Sequence, residues 1–148
     1  MVDRQKVSPS EIVEKFLRGG IKEKREVILG KNGKSELERF VENLRGLSFT
    51  KLRKYYGQFL NIYESWQAKR EREEGETISD ELLLKLYMLK SLLTYDIARE
   101  SKEKKKKALG KLKEFVEKMV NTIEKPKDLE NAKYLFEALV GYAKEKLR

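Results

Sequence analysis

Hydrophobic residues in this chain recur at steps of three and four, the spacing of one face of an α-helix. The longest such run places Leu52, Tyr55, Tyr56, Phe59, Leu60, Tyr63 and Trp66 together. Ser48 or Thr50 stands where a side chain can cap the first-turn amides, so a helix is expected from about Ser48 to Glu73. Ahead of it, Ser8-Pro9-Ser10-Glu11 opens a short helix carrying Ile12, Val13, Phe16 and Leu17, which Gly19-Gly20 ends. Ile21 to Leu29 reads as a second short helix closed by Gly30, Lys31-Asn32-Gly33 as a turn, and Leu37, Phe40, Val41 and Leu44 as a further helical stripe. Ser79 caps a helix from about Asp80 to Glu100 whose centre is apolar nearly all round, a pattern expected of a central helix. Leu109, Leu112, Val116, Met119 and Ile123 spell one more stripe. Leu129, Ala132, Phe136, Leu139 and Ala143 spell the last, opened by Lys125-Pro126 with Asp128 as its cap.

No run alternates with period two and β-branched enrichment, so no sheet is expected. The pattern predicts an all-α helical bundle of about five to six helices with antiparallel neighbours. The 148 residues suit one domain, 1–148. Within it, residues 1–33 form the N-terminal helices, the part the pattern defines least, and 70–78 a mobile polar loop.

Composition narrows the chemistry. Lys and Arg number 34 against 25 Asp and Glu, a formal charge of +9 that attracts polyanions. The chain has no Cys and no His. Disulfides, thiol nucleophiles and thiolate metal sites are thereby excluded, along with the usual general base near neutral pH. Ser and Thr have no His to activate them, and no Gly-rich phosphate loop or metal-ligand spacing occurs. No enzyme, metal or cofactor is expected. No apolar run approaches a membrane span and no apolar signal core opens the chain, so a soluble cytoplasmic protein with no membrane contact is expected.

Four places carry candidate chemistry. Lys51, Arg53 and Lys54 beside Tyr55 and Tyr56 form a basic-aromatic edge: Arg offers a fork to phosphate oxygens, and Tyr a ring for an unpaired base. The bland alternative is that both tyrosines are core and the cations only flank them. The run Lys104, Lys105, Lys106 and Lys107 lies in the densest charge, with seven Lys and one Glu between Lys102 and Lys113. It either holds phosphates or is a solvated loop-to-helix junction. On the apolar helix, Lys90, Tyr95, Asp96 and Arg99 need partners or a reason; Asp96 and Arg99, three apart, can simply pair. Finally, Glu71, Glu73, Glu74 and Glu76 alternate with arginines beside Gly75 and read as a charged loop rather than a metal or acid-base site.

Three stretches together resemble the small helical subunit of type III-A CRISPR (Csm) interference complexes. They are Leu47-Ser48-Phe49-Thr50-Lys51-Leu52-Arg53-Lys54-Tyr55-Tyr56, the apolar segment from Leu83 to Arg99 ending Tyr95-Asp96-Ile97-Ala98-Arg99, and Phe136-Glu137-Ala138-Leu139-Val140-Gly141-Tyr142-Ala143-Lys144. Order and spacing agree from about Leu37 to Lys144. Gly141 stands where that family usually has Ala, and residues 1–33 match little. The resemblance implies a non-catalytic subunit of a ribonucleoprotein complex in antiviral defence. Such a subunit lines up with copies of itself and with the other Csm effector subunits along guide RNA and target RNA. It implies sugar-phosphate contacts from Lys51, Arg53, Lys54 and Arg99, then Lys90 and Lys144; Lys104 to Lys107 join by charge alone. Two other classes fit the residues: a helical protein–protein scaffold without RNA contact, and a basic DNA-compacting protein.

Overall fold

The computed structural model describes residues 8–31, 33–72 and 77–148, and among them there are seven helices and no strand. They are α1 (Pro9–Arg18), α2 (Ile21–Ile28), α3 (Glu36–Glu42), α4 (Phe49–Arg72), α5 (Asp80–Arg99), α6 (Glu103–Thr122) and α7 (Pro126–Lys146). The helical bundle is as expected; the count of five to six is corrected to seven. The two short helices stand separately because each has its own cap. Glu23 Oε1 accepts the Gly20 N–H at 2.8 Å, and Ser35 and Glu38 bond each other's backbone N–H at 3.1 Å. The Ser35–Glu38 pair is reciprocal and satisfies a first-turn amide of α3, whereas the Glu23 bond at α2 runs one way, onto the N–H of the capping glycine. Met1 to Val7, Asn32 of the expected turn, and Glu73, Glu74, Gly75 and Glu76 of the expected mobile loop and acidic cluster lie outside the described residues.

The other helix ends follow local chemistry. Ser8, Ser48 and Ser79 each turn a hydroxyl oxygen onto the amide three residues on, at 3.4, 3.1 and 3.2 Å. Gly30 takes φ +73° just past α2, a left-handed turn that an L side chain resists. Asp128 is not the cap residue of α7. It sits at the third helical position and reaches back, its Oδ2 accepting the N–H of Glu124 and of Lys125 at 3.0 Å each. Pro126 opens the helix at the place where a missing N–H costs nothing.

The core runs through all seven helices, and aromatic rings mark its centre. Phe40 of α3 stacks on Phe115 of α6 with centroids 5.2 Å apart; Phe115 meets the edge of Phe136 of α7 at 6.1 Å; Phe136 meets Phe59 of α4 at 5.6 Å. All four rings are fully buried. Helix α6 packs on α1 and α5, and α7 on α3 and α4. Lys69–Glu81 and Lys54–Asp96 contacts tie opposite ends of α4 and α5, which therefore run antiparallel. Arg70–Glu130 and Lys144–Phe49 do the same for α4 and α7. Helices α1 and α6 run in the same direction, as Lys118–Glu14 and the Arg18 bond to the Thr122 carbonyl show. The expectation of antiparallel neighbours fails for that pair because α2 to α5 intervene between them in the chain.

Helix α5 is not central, contrary to its composition. It packs on α4 and α6 and leaves an apolar face in solvent, with Leu84 60%, Tyr87 47%, Met88 56% and Tyr95 58% exposed. Only Leu82, Leu86, Leu89, Leu93 and Asp96 are buried. The all-round apolar pattern is therefore one core stripe plus a second apolar stripe without an intramolecular partner. No helix of the described residues is long and apolar enough to cross a membrane.

Candidate nucleic-acid interface

Where the start of α4 crosses the end of α5, a buried carboxylate organises a cationic edge. Asp96 is 8% exposed, and the Tyr55 hydroxyl donates to its Oδ2 at 2.5 Å. Lys54 Nζ lies 3.7 Å and Lys51 Nζ 3.9 Å from the same oxygen, with both ammonium side chains partly open to solvent. Lys51, Lys54 and Tyr55 share one side of α4 because they are three and four residues apart. Burial alone raises the Asp96 pKa, but the Tyr55 bond and the charges of Lys51, Lys54 and Arg99 hold it below the usual carboxylate range. The Tyr55 phenol is pushed far up by burial and by its bond to Asp96. Hence Asp96 is ionised and Tyr55 neutral at physiological pH. Two ammonium groups and one guanidinium face one carboxylate, and the edge keeps a positive balance.

The remaining candidates separate. Arg99 is exposed, its guanidinium 5.3 Å from the Tyr95 ring centroid, the stacking geometry of a cation over an aromatic face. It lies beside the Asp96 cluster rather than paired with that residue alone. Arg53 is exposed and about 200° round α4 from Lys51, so it points away from α5. Lys144 Nζ sits 4.9 Å from the Phe49 ring, which places it beside the first turn of α4. Lys90 pairs with Glu117 of α6 at 3.0 Å and does not join the edge. Lys104, Lys105, Lys106 and Lys107 are all exposed and stand in the first turns of α6, which begins at Glu103 with Lys102 as its N-cap, so the run lies at a loop-to-helix junction. Tyr55 is core and unable to stack on a base, and Tyr56 is partly buried against Phe136.

Sequence reasoning missed two features. The Tyr55–Asp96 bond spans 41 residues, and no local periodicity pairs these positions. Nor did it gather Arg45, Lys146 and Arg148 at the chain end of the bundle, where they line a pocket with Lys104 and Lys105. Between α4 and α5 there is also a wider groove of about 560 Å³, lined by Gln58, Ile62, Met88, Leu92 and Tyr95 among others. Among the described residues no group of three or more His, Cys, Asp or Glu is placed to hold a metal ion.

The Csm2 Type III-A family matches residues 31–146, a span that takes in every side chain of the cationic edge and of the exposed α5 face. No curated protein and no solved structure matches the chain.

Proposed function

The chain belongs to the Csm2 Type III-A family, and from this premise we propose that it is the non-catalytic RNA-binding small subunit of a type III-A CRISPR effector. In this reading it works in the cytoplasm in antiviral defence, beside other Csm subunits and copies of itself. It lines the guide and target RNA path, and no bond is made or broken on it. One observation carries the reading: Lys51 and Lys54 are held in register over the buried Asp96–Tyr55 pair, with Arg99 alongside, while Arg53 is exposed on the far side of α4. Ammonium and guanidinium groups fixed on a rigid helix suit a ribose-phosphate strand, and such contacts are indifferent to sequence.

The test is retention of target RNA by the assembled effector at two salt concentrations. Arg53→Ala with Lys54→Ala is expected to weaken retention across all sequences and to lower the salt slope by about one for each phosphate no longer neutralised. Unchanged retention sinks these sites. Preference of the wild type for duplex DNA over single-stranded RNA at equal salt favours the DNA-compacting alternative instead.

A protein-docking role is supported separately by the exposed apolar face of α5. Contiguous apolar surface on a soluble protein commonly marks a contact with another protein. Leu84→Ser with Met88→Ser is expected to reduce incorporation into the effector. Its effect on unfolding free energy stays within about 1 kcal/mol, about 0.5 kcal/mol for each of the two surface substitutions. Normal incorporation of that variant removes the docking role.

A further inference from the structure

Five cations distant in the chain meet at one end of the bundle. Arg45 comes from the α3–α4 turn, Lys104 and Lys105 from the first turn of α6, and Lys146 and Arg148 from the end of the chain. With the backbone of Gly46 to Ser48 they line a pocket of about 290 Å³, and no lining residue carries a carboxylate side chain. Just outside, Glu42 forms ion pairs with Arg45, 2.7 Å from its Nε, and with Lys146 at 3.8 Å, while Glu100 feels the charge of Lys105. The balance remains positive.

The way the pocket is built points to an occupant. Gly46 takes φ +108°, and a Cβ there would meet Lys104 Cγ at 2.8 Å and the Lys104 carbonyl oxygen at 3.1 Å. Only the missing side chain lets the first turn of α6 sit against the α3–α4 turn. That turn of α6 has no side-chain cap. Glu100 Oε2 accepts the Lys102 N–H at 3.1 Å and Glu103 stands in the first turn, so two carboxylates offset part of the dipole that Lys104 and Lys105 oppose; these two lysines still bring a local positive surplus to the pocket. Like charges drawn into so small a volume repel one another, and the aromatic core owes nothing to them. Ser48 Oγ accepts the Lys51 N–H at 3.1 Å, which leaves its hydroxyl proton free to donate.

We infer that this pocket binds a phosphate group and, resting on the RNA reading above, that the group is a phosphate of the RNA strand. Ser48 lies one helical turn before Lys51, so the pocket continues the cationic edge of α4 and α5. The lysine run is thereby divided: Lys104 and Lys105 line the pocket, whereas Lys106 and Lys107 do not.

The experiment titrates the full chain with inorganic phosphate at constant ionic strength, against chloride, and follows the amide NMR signals of Gly46, Leu47 and Ser48. Saturable shifts are expected. Lys104→Gln with Lys105→Gln is expected to weaken binding about tenfold, the size of one lost charge-assisted hydrogen bond. Lys106→Gln with Lys107→Gln removes the same charge and is expected to leave binding unchanged. Absence of saturable shifts, or equal weakening by the two pairs, overturns the pocket. A short single-stranded RNA is then added. Shifts of the same amides, suppressed by excess phosphate, support RNA as the source. A phosphate response with no RNA response at these amides overturns that source. Arg53→Ala with Lys54→Ala separates the two ideas, because it is expected to keep the phosphate response. RNA shifts along α4 without shifts at the pocket overturn the pocket's RNA role and leave the α4 reading standing.

Discussion

Asp96 shows how one residue sets the character of its surroundings. A carboxylate on a mostly apolar helix is costly unless charge and hydrogen bonds meet it. Here the Tyr55 hydroxyl and the Lys51 and Lys54 ammonium groups do so. The sign of its pH dependence follows. Its folded pKa is held below that of an unfolded aspartate, near 3.9. The stabilisation is therefore fully present above about pH 4 and is lost as pH falls through the folded value. Urea unfolding of wild type and Asp96→Asn checks this. The wild type is expected to be the more stable at pH 7, with the difference shrinking at about pH 3. A difference that stays constant across that range would show that Asp96 does not titrate as argued. The local order of Lys51, Lys54 and Tyr55 on α4 was legible from spacing alone. The identity of their partner was not, because Asp96 is 41 residues away and offered Arg99 as a nearer one.

At the scale of the element, composition and position part company. Helix α5 has the most apolar sequence of the long helices and yet lies on the outside, against α4 and α6 alone among its main neighbours. Periodicity identifies it as a helix but not the number of its faces that the same chain covers. Helix α6 shows the converse: its lysine run carries no apolar stripe of its own, yet it forms the first turns of a helix whose later turns supply the buried residues. Lysine is a good helix former, and packing of Leu109, Leu112 and Val116 supports the turns before them. Helix α7 offers a direct check on element energetics. Gly141 is exposed in mid-helix, and a Cβ there would meet nothing within 4 Å. Gly141→Ala is expected to stabilise the protein by about 0.5–1 kcal/mol, because alanine loses less backbone freedom on folding. Denaturant unfolding measures it; a loss of stability would mean that the glycine is needed for close approach by something else.

For the molecule as a whole, the fully buried rings of Phe40, Phe115, Phe136 and Phe59 join four helices through one centre. Phe136 touches both Phe115 on α6 and Phe59 on α4, and also Tyr56. Phe136→Ala is expected to cost about 3–5 kcal/mol, from lost burial and the cavity left behind. Urea unfolding followed by circular dichroism reads this. A cost near ~1 kcal/mol would show that the surrounding rings collapse into the space. This centre keeps the cationic edge rigid: Tyr55 and Phe59 lie on the same face of α4, so the helix that presents Lys51 and Lys54 is anchored one turn away.

The chain's own order of residues determined its helices, most of their ends, their apolar stripes and its positive charge. These depend on neighbours within four or five positions, or on simple counting. Its lack of His and Cys likewise limits the chemistry it can carry. Only the tertiary structure decided which stripes face each other, that α5 keeps an apolar face in solvent, and that Tyr55 meets Asp96. It alone gathered Arg45, Lys104, Lys105, Lys146 and Arg148 around one pocket. Those outcomes depend on contacts between segments tens of residues apart, where the packing of the whole core fixes distance and local pattern carries no information about it.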